Sequence, residues 1–317
     1  MLFCVGLPAA AAQTHCPPHP GAQPAVERLR TAMAQGRFIA YQPTSLKVFD
    51  GRATDADAAS IRADLTQLRA RFDGLITYGA IHGAQQIPQL AAALKFRALI
   101  IGVWDPTDEM QLAAALEAAA RFPHLVVGLS LGNEMLFAHR SDPAVLMALI
   151  ARVRARAPEV ALSTSEPFHV FDAPGAAALL AQLDFLLPIV HPVFQPWFRD
   201  APDGTAAQFV VNVLGKLSPL ACGPMLVKET GVPTAPESVG FSEARQAAFY
   251  RELRGVLPPS RTQAFAYFAA YDAPWRAYDA TGVPAAQAVH PEEAHWGLYD
   301  AARRPKAAAR ELPPLPP

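Results

Sequence analysis

Eight short apolar runs recur along the chain, most of them rich in β-branched or aromatic residues and closed by turn formers. They are FIAYQP from Phe38, GLITYG from Gly74, ALIIGVW from Ala98, LVVGLSLGNE from Leu125, VALSTSEP from Val160, DFLLPIVHP from Asp184, PMLVKET from Pro224 and QAFAYFAAYD from Gln263. Continuous apolarity over this length suits strands covered on both faces, as parallel sheets require. Between the runs lie amphipathic stretches. Asp55 to Phe72 carries Ala58, Ile61, Leu65 and Leu68 at helical spacing. Met110 to Phe122, Pro143 to Ala155 and Glu243 to Leu257 read the same way, and Asp142 before Pro143 is an N-cap followed by a first-turn proline. Pro174 to Leu183 predicts a shorter helix, and Ala206 to Leu217 is the most β-branched of the set.

Eight strand–helix repeats predict an α/β fold of the (β/α)8 TIM-barrel type, closed rather than open. No linker and no second apolar core interrupts them, so residues 25–311 read as one domain, followed by a Pro-rich tail at 312–317. Composition agrees: 51% of the 317 residues are hydrophobic and 17% charged, enough to bury a large core. The balance of 27 basic against 28 acidic residues leaves no basic stripe and speaks against a nucleic-acid partner. No run is long enough to predict a membrane-spanning helix. Residues 1–12, MLFCVGLPAAAA, resemble the later part of a signal peptide without its leading basic stretch, which points to a periplasmic or secreted protein, or to a cytoplasmic one where the likeness is accidental. Export would remove Cys4 and leave Cys16 and Cys222, either as a disulfide or as two free thiols.

In such barrels the chemistry sits where strands meet the following loops. Run four ends in Gly132-Asn133-Glu134 and run seven in Lys228-Glu229-Thr230. Two carboxylates facing one bowl match the needs of glycosidic cleavage with retention, one protonated and one ionised, about 5–5.5 Å apart. Repulsion between them helps to divide those roles. Asn133 is placed to hydrogen-bond the sugar hydroxyl next to the reacting carbon. Glu166 ends run five, with two readings open: it orients the site or it holds a loop. His191 ends run six and is either a sugar or nucleophile partner or a structural histidine. Tyr78, Trp104, Trp197, Trp275 and Trp296 fall near strand ends, where aromatic faces stack on sugars or simply pack.

Several stretches resemble glycoside hydrolase family 17, the β-1,3-glucanase family, in its bacterial and fungal branch. These are ITYG around Tyr78, VKETGVPT around Glu229, YFAAYDAPWR from Tyr267 and EAHWGLYDAARRPK from Glu293, within a resemblance running from about Phe38 to Lys306. The resemblance implies a retaining enzyme with Glu134 as acid/base and Glu229 as nucleophile. It also implies a site lined by Tyr78, Trp275, Glu293 and Trp296, and a β-glucan or oligosaccharide substrate that is hydrolysed or transferred to another glucan. Members of this branch carry acidic residues where this chain has Ala269 and Ala273, and Lys where it has Arg276. Glu293 is placed to supply part of that network. The two alanines also keep open a non-catalytic glucan-binding barrel.

Two other motifs compete. Gly128-Leu129-Ser130-Leu131-Gly132 fits the nucleophile elbow of serine esterases, but the apolar run continues past Ser130 and no HGGG loop precedes it. His290, Glu292, Glu293 and His295 look metal-like, yet the two histidines are five apart and miss a common helical face. The sequence therefore predicts neither a metal nor a cofactor.

Overall fold

A computed structural model describes residues 16–49, 52–279 and 290–315. The possible signal segment at 1–12 and the last two residues of the Pro-rich tail lie outside these residues. All eight apolar runs form strands: β1 (Phe38–Ala40), β2 (Gly74–Ile76), β3 (Ala98–Val103), β4 (Val126–Asn133), β5 (Leu162–Pro167), β6 (Leu187–Ile189), β7 (Met225–Val227) and β8 (Gln263–Tyr267). Neighbours pair in parallel from β6 back through β1 to β8 and β7. The remaining seam between β6 and β7 is spanned by the bridges Leu186–Met225 and Ile189–Glu229, so the sheet closes into a barrel. An antiparallel pairing of Val48–Phe49 with Arg52–Ala53 adds a small arm beyond β1.

The helices are α1 (Gln23–Gln35), α2 (Ala58–Arg69), α3 (Ile87–Ala93), α4 (Glu109–Arg121), α5 (Pro143–Arg156), α6 (Phe168–Phe171), α7 (Ala177–Leu180), α8 (Thr205–Leu217), α9 (Glu243–Val256), α10 (Arg276–Asp279) and α11 (Ala307–Glu311). Asp142 caps α5 as expected, its Oδ1 accepting from the Val145 N–H at 2.9 Å. The Pro174–Leu183 stretch shrinks to the single turn of α7, because Gly175 at φ 94° and the preceding proline delay the start. The valine-rich stretch after Ala206 is a full thirteen-residue helix, since Ala207, Val210, Val213, Leu214 and Leu217 all bury one face.

The barrel interior and its N-terminal mouth form one apolar cluster. Phe38, Ile76, Ile100, Val127, Phe185, Leu187 and Leu226 point inward, and Val26, Leu29 and Met33 of α1 plug the opening beneath them. Phe38 and Phe185 fit because Gly74 and Gly128 lie beside them; a Cβ at either glycine would sit 2.5–2.6 Å from a ring carbon. The segment leading into α1 is fastened by a disulfide between Cys16 and Cys222, just before β7. A second, larger cluster lies between the strands' outer faces and the helices.

Candidate active site

The C-terminal mouth is built differently. β4 loses regular register after Ser130, and Gly132 at φ 85° and Glu134 at φ 53° turn the chain through the left-handed region. For a glutamate this costs about 1–2 kcal/mol, the sort of strain that collects at functional sites. Three contacts hold the turn. The Glu134 N–H donates to Ser165 O at 2.8 Å. Glu166, fully buried at the end of β5, accepts from the Leu136 and Phe137 N–H groups at 3.0 and 3.2 Å. Arg140 donates to Asn133 O while its guanidinium lies 4.9 Å over the Trp104 ring. Of the two readings of Glu166, holding the loop is thus what its contacts support, and that loop is the one that aims Glu134.

Glu229 follows β7 and is 5% exposed. Its carbonyl accepts from the Val190 N–H at 2.8 Å, which registers it against β6. The Tyr250 hydroxyl of α9 stands 2.9 Å from Thr230 O and 2.8 Å from Phe268 O, and accepts from the Phe268 N–H at 3.0 Å. It thereby fastens the ends of β7 and β8 together. His191 Nε2 lies 3.7 Å from Glu229 Oε2, ion-pair rather than hydrogen-bond distance, and Lys228 Nζ lies 3.5 Å from Glu229 Oε1. Lys228 is fully buried, donates to Asn133 Oδ1 and sits 4.2 Å over the Tyr78 ring.

The two strand-end carboxyls are driven apart. Burial, then the Glu229 charge, raises Glu134 to about 7, with Lys228 pulling the other way. Burial alone would raise Glu229 too, but His191, Lys228 and Arg276 outweigh it and hold this carboxyl at about 2. Burial and the Glu229 charge push the Tyr78 hydroxyl well above its usual range. Around the pair, Glu229 Oε1, Tyr78 Oη, His191 Nδ1 and Thr230 Oγ1 are buried with no hydrogen-bond partner. Groups of this kind ordinarily find one, and these four cluster around the carboxyl pair.

Beside the pair opens a cleft of about 440 Å³ whose walls include Gln42, Thr44, Lys47, Tyr78, Trp275, Arg276, Glu293 and Trp296. Arg276 bonds Glu293 at 2.8 Å and lies 5.4 Å over the Phe268 ring. Glu293 thus anchors Arg276 beside the two alanines. Trp275 is half-buried and presents part of its face to the cleft. Trp296 departs from a simple lining role: it is 2% exposed, wedged 4.7 Å from the His191 ring and 5.1 Å from Phe268, and only borders the cleft. The structure therefore gathers Glu134, Glu229, Asn133, Tyr78, His191, Arg276 and Glu293 at one mouth, with Trp275 and Trp296 beside them and Glu166 beneath. Sequence reasoning passed over Lys228, whose signal was a lone lysine in an apolar run. It also passed over Gln42, Thr44 and Lys47, which follow the first run.

The competing motifs dissolve. Ser130 is fully buried inside β4, with its hydroxyl facing Gly132 O at 3.3 Å, and there is no turn to expose it. His290 pairs with Glu292 at 3.0 Å on the surface, and His295 faces Asp272 at 3.9 Å. Among the described residues no group of three metal-ligating side chains converges.

A closed parallel barrel with two carboxyls at the ends of its fourth and seventh strands has the layout of a glycoside hydrolase. The chain belongs to the BtgE/BtgC glycoside hydrolase domain family, whose model matches residues 39–297. It is 24% identical over 265 residues, 79% of this chain and 84% of the relative, to a glucan 1,3-beta-glucosidase of Arthroderma benhamiae. Its fold is similar to the glycoside hydrolase family 17 beta-1,3-glucanosyltransferase of Rhizomucor miehei, with a TM-score of 0.65, 21% identity, and 86% of this chain and 95% of that one covered. It is also similar to an endo-laminarinase from Formosa Hel1_33_131, with a TM-score of 0.67, 17% identity, and 86% and 85% covered.

Proposed function

We propose that this protein is a retaining enzyme of β-1,3-glucan, with Glu229 as nucleophile and Glu134 as acid/base. The observation that carries the reading is the placement of two carboxyls at the ends of β4 and β7, with His191 and Lys228 at 3.7 and 3.5 Å from Glu229 favouring its ionised form. Glu229 attacks the anomeric carbon, the glycosidic C–O bond breaks, and the Glu134 proton goes to the departing oxygen. Glu134, now ionised, takes a proton from the incoming water or sugar hydroxyl, whose oxygen displaces Glu229 from the same carbon. Asn133, Tyr78, His191 and Arg276 orient sugar and nucleophile, and Trp275 stacks on a ring in the cleft.

Water as acceptor makes the protein a glucanase, and a second glucan chain makes it a transglycosylase on the same site. The fold neighbours include both a beta-1,3-glucanosyltransferase and an endo-laminarinase. Work outside a reducing compartment is supported by the Cys16–Cys222 disulfide; no helix among the described residues is long and apolar enough to cross a membrane.

The test is incubation with laminari-oligosaccharides, following product length and anomer by NMR. The expected first product is the β-anomer, with activity falling on an alkaline limb near pH 7. Products longer than the substrate identify transfer. Glu134→Ala is expected to lose turnover on natural glucan and to be partly rescued by azide on activated glycosides. An α-anomer product would overturn the retaining mechanism, and binding without turnover on any β-glucan would make the barrel a glucan-binding module.

A further inference from the structure

Lys228 is a cation placed where cations are costly. Its ammonium is 1% exposed, and moving such a charge out of water is expensive unless it is paired and hydrogen-bonded. Among the described residues only one of its contacts is a full hydrogen bond, to a neutral amide oxygen, Asn133 Oδ1. The others are Glu229 Oε1 at 3.5 Å and the face of Tyr78 at 4.2 Å. Three ammonium protons thus meet three groups of the site, from the ends of β4, β7 and β2.

We propose that Lys228 is a positioning residue of the reaction, which fixes the Asn133 amide with its NH2 toward the substrate and keeps Glu229 in its attacking, ionised form. The proposal rests on the reading of Glu229 as nucleophile. Lysine has donors and no acceptor, so Asn133 must turn Oδ1 to it. Its Nδ2 protons then point elsewhere, and none of the described residues accepts them. An amide held this way donates to the oxygen of a hydroxyl beside the reacting carbon.

Two other groups facing Glu229, His191 and Arg276, also favour its ionised form, and Lys228 acts beside them. Arg276, beyond β8, is committed to Glu293 at 2.8 Å. His191, at the end of β6, carries charge only when protonated. Tyr78 is neutral, and Glu134 once it has given up its proton and, more distantly, Glu166 add negative charge to the site. Lys228 therefore offsets the carboxylates from within the barrel wall, alongside His191 and Arg276.

The experiment titrates carbon-13-labelled glutamate side chains by NMR in the wild type, Lys228→Met, Lys228→Gln and Lys228→Arg, with Glu229→Gln and Glu134→Gln to assign the signals. An opposite charge within ~4–6 Å moves a carboxyl by about 1–3 pH units. The Glu229 midpoint is expected to rise by that amount in the Met and Gln variants and to recover in Arg. Unchanged midpoints in both neutral variants would overturn the electrostatic role. Turnover of a laminaribioside and its 2-deoxy analogue tests the amide. Discrimination between them is expected to collapse in Lys228→Met and persist in Lys228→Gln, whose amide still donates to Asn133; equal discrimination in wild type and Met would overturn it. The titration needs no turnover, so its failure is distinct from failure of the glucan assay.

Discussion

The two mouths of the barrel are made of opposite materials. At the N-terminal mouth Leu29, Val26 and Met33 of α1 close an interior of Phe38, Phe185 and aliphatic strand residues, and a disulfide fastens the segment that delivers them. At the C-terminal mouth Lys228, Glu229 and Glu166 are buried ions, Glu134 sits in a left-handed backbone conformation, and several polar atoms lack partners. Each feature of the second mouth is unfavourable for folding, and the proposed function gives each a use in holding a sugar or moving a proton. The first mouth contributes the stability that lets the second persist. Substitutions at the two ends are therefore expected to separate activity from stability.

The largest effect belongs to the upper mouth. Glu229→Ala is expected to lower turnover on laminari-oligosaccharides by on the order of 10⁴-fold or more, about 5.5 kcal/mol of transition-state stabilisation. Full activity in this variant would remove Glu229 from the mechanism. Next comes the plug. Leu29→Ala empties a fully buried site and is expected to cost about 2–5 kcal/mol in denaturant unfolding, with kcat/KM at 25 °C nearly unchanged. A large activity loss in the folded variant would break the separation.

Removing the disulfide with Cys222→Ser opens a link across 206 residues. The expected cost is roughly 2–4 kcal/mol, again without a change in turnover; an unaltered melting temperature would contradict the fastening role. The smallest effect is pH-dependent. Glu134 moves from 4.5 unfolded to about 7 folded, so its folded carboxyl keeps its proton longer. Below pH 4.5 both states are protonated and nothing is lost. Between 4.5 and 7 the unfolded chain sheds its proton first and stability falls, reaching a full penalty above 7 of roughly 1–2 kcal/mol after allowing for partial exposure. Glu134→Gln is therefore expected to melt a few degrees higher than the wild type at pH 8 and alike at pH 4. Equal melting at pH 8 would contradict the assigned shift.

What the sequence made legible follows the range of the interactions. The eight strands announced themselves because both faces of a barrel strand are buried, and Asp142 because capping is local. The strand-end position of Glu134 and Glu229 was readable from where the apolar runs stop. The plug was not: α1 has Val26, Leu29 and Met33 at ordinary helical spacing, and nothing local says that this face enters a barrel mouth. Lys228 was missed for a related reason. Its bond to Asn133 spans 95 residues and exists only once β4 and β7 face each other. For Trp296 the sequence left lining the site and packing both open, because its contacts with His191 and Phe268 come from loops far apart in sequence.

The central claim is that Glu229 carries the sugar between the two steps. The most direct test is to trap it with a 2-deoxy-2-fluoro laminaribiosyl fluoride, digest the protein and locate the adduct by mass spectrometry. The account predicts one glycosyl group on Glu229, within the peptide that contains LVKETGVPT. An adduct on any other residue, or none while laminari-oligosaccharides are turned over, would contradict it.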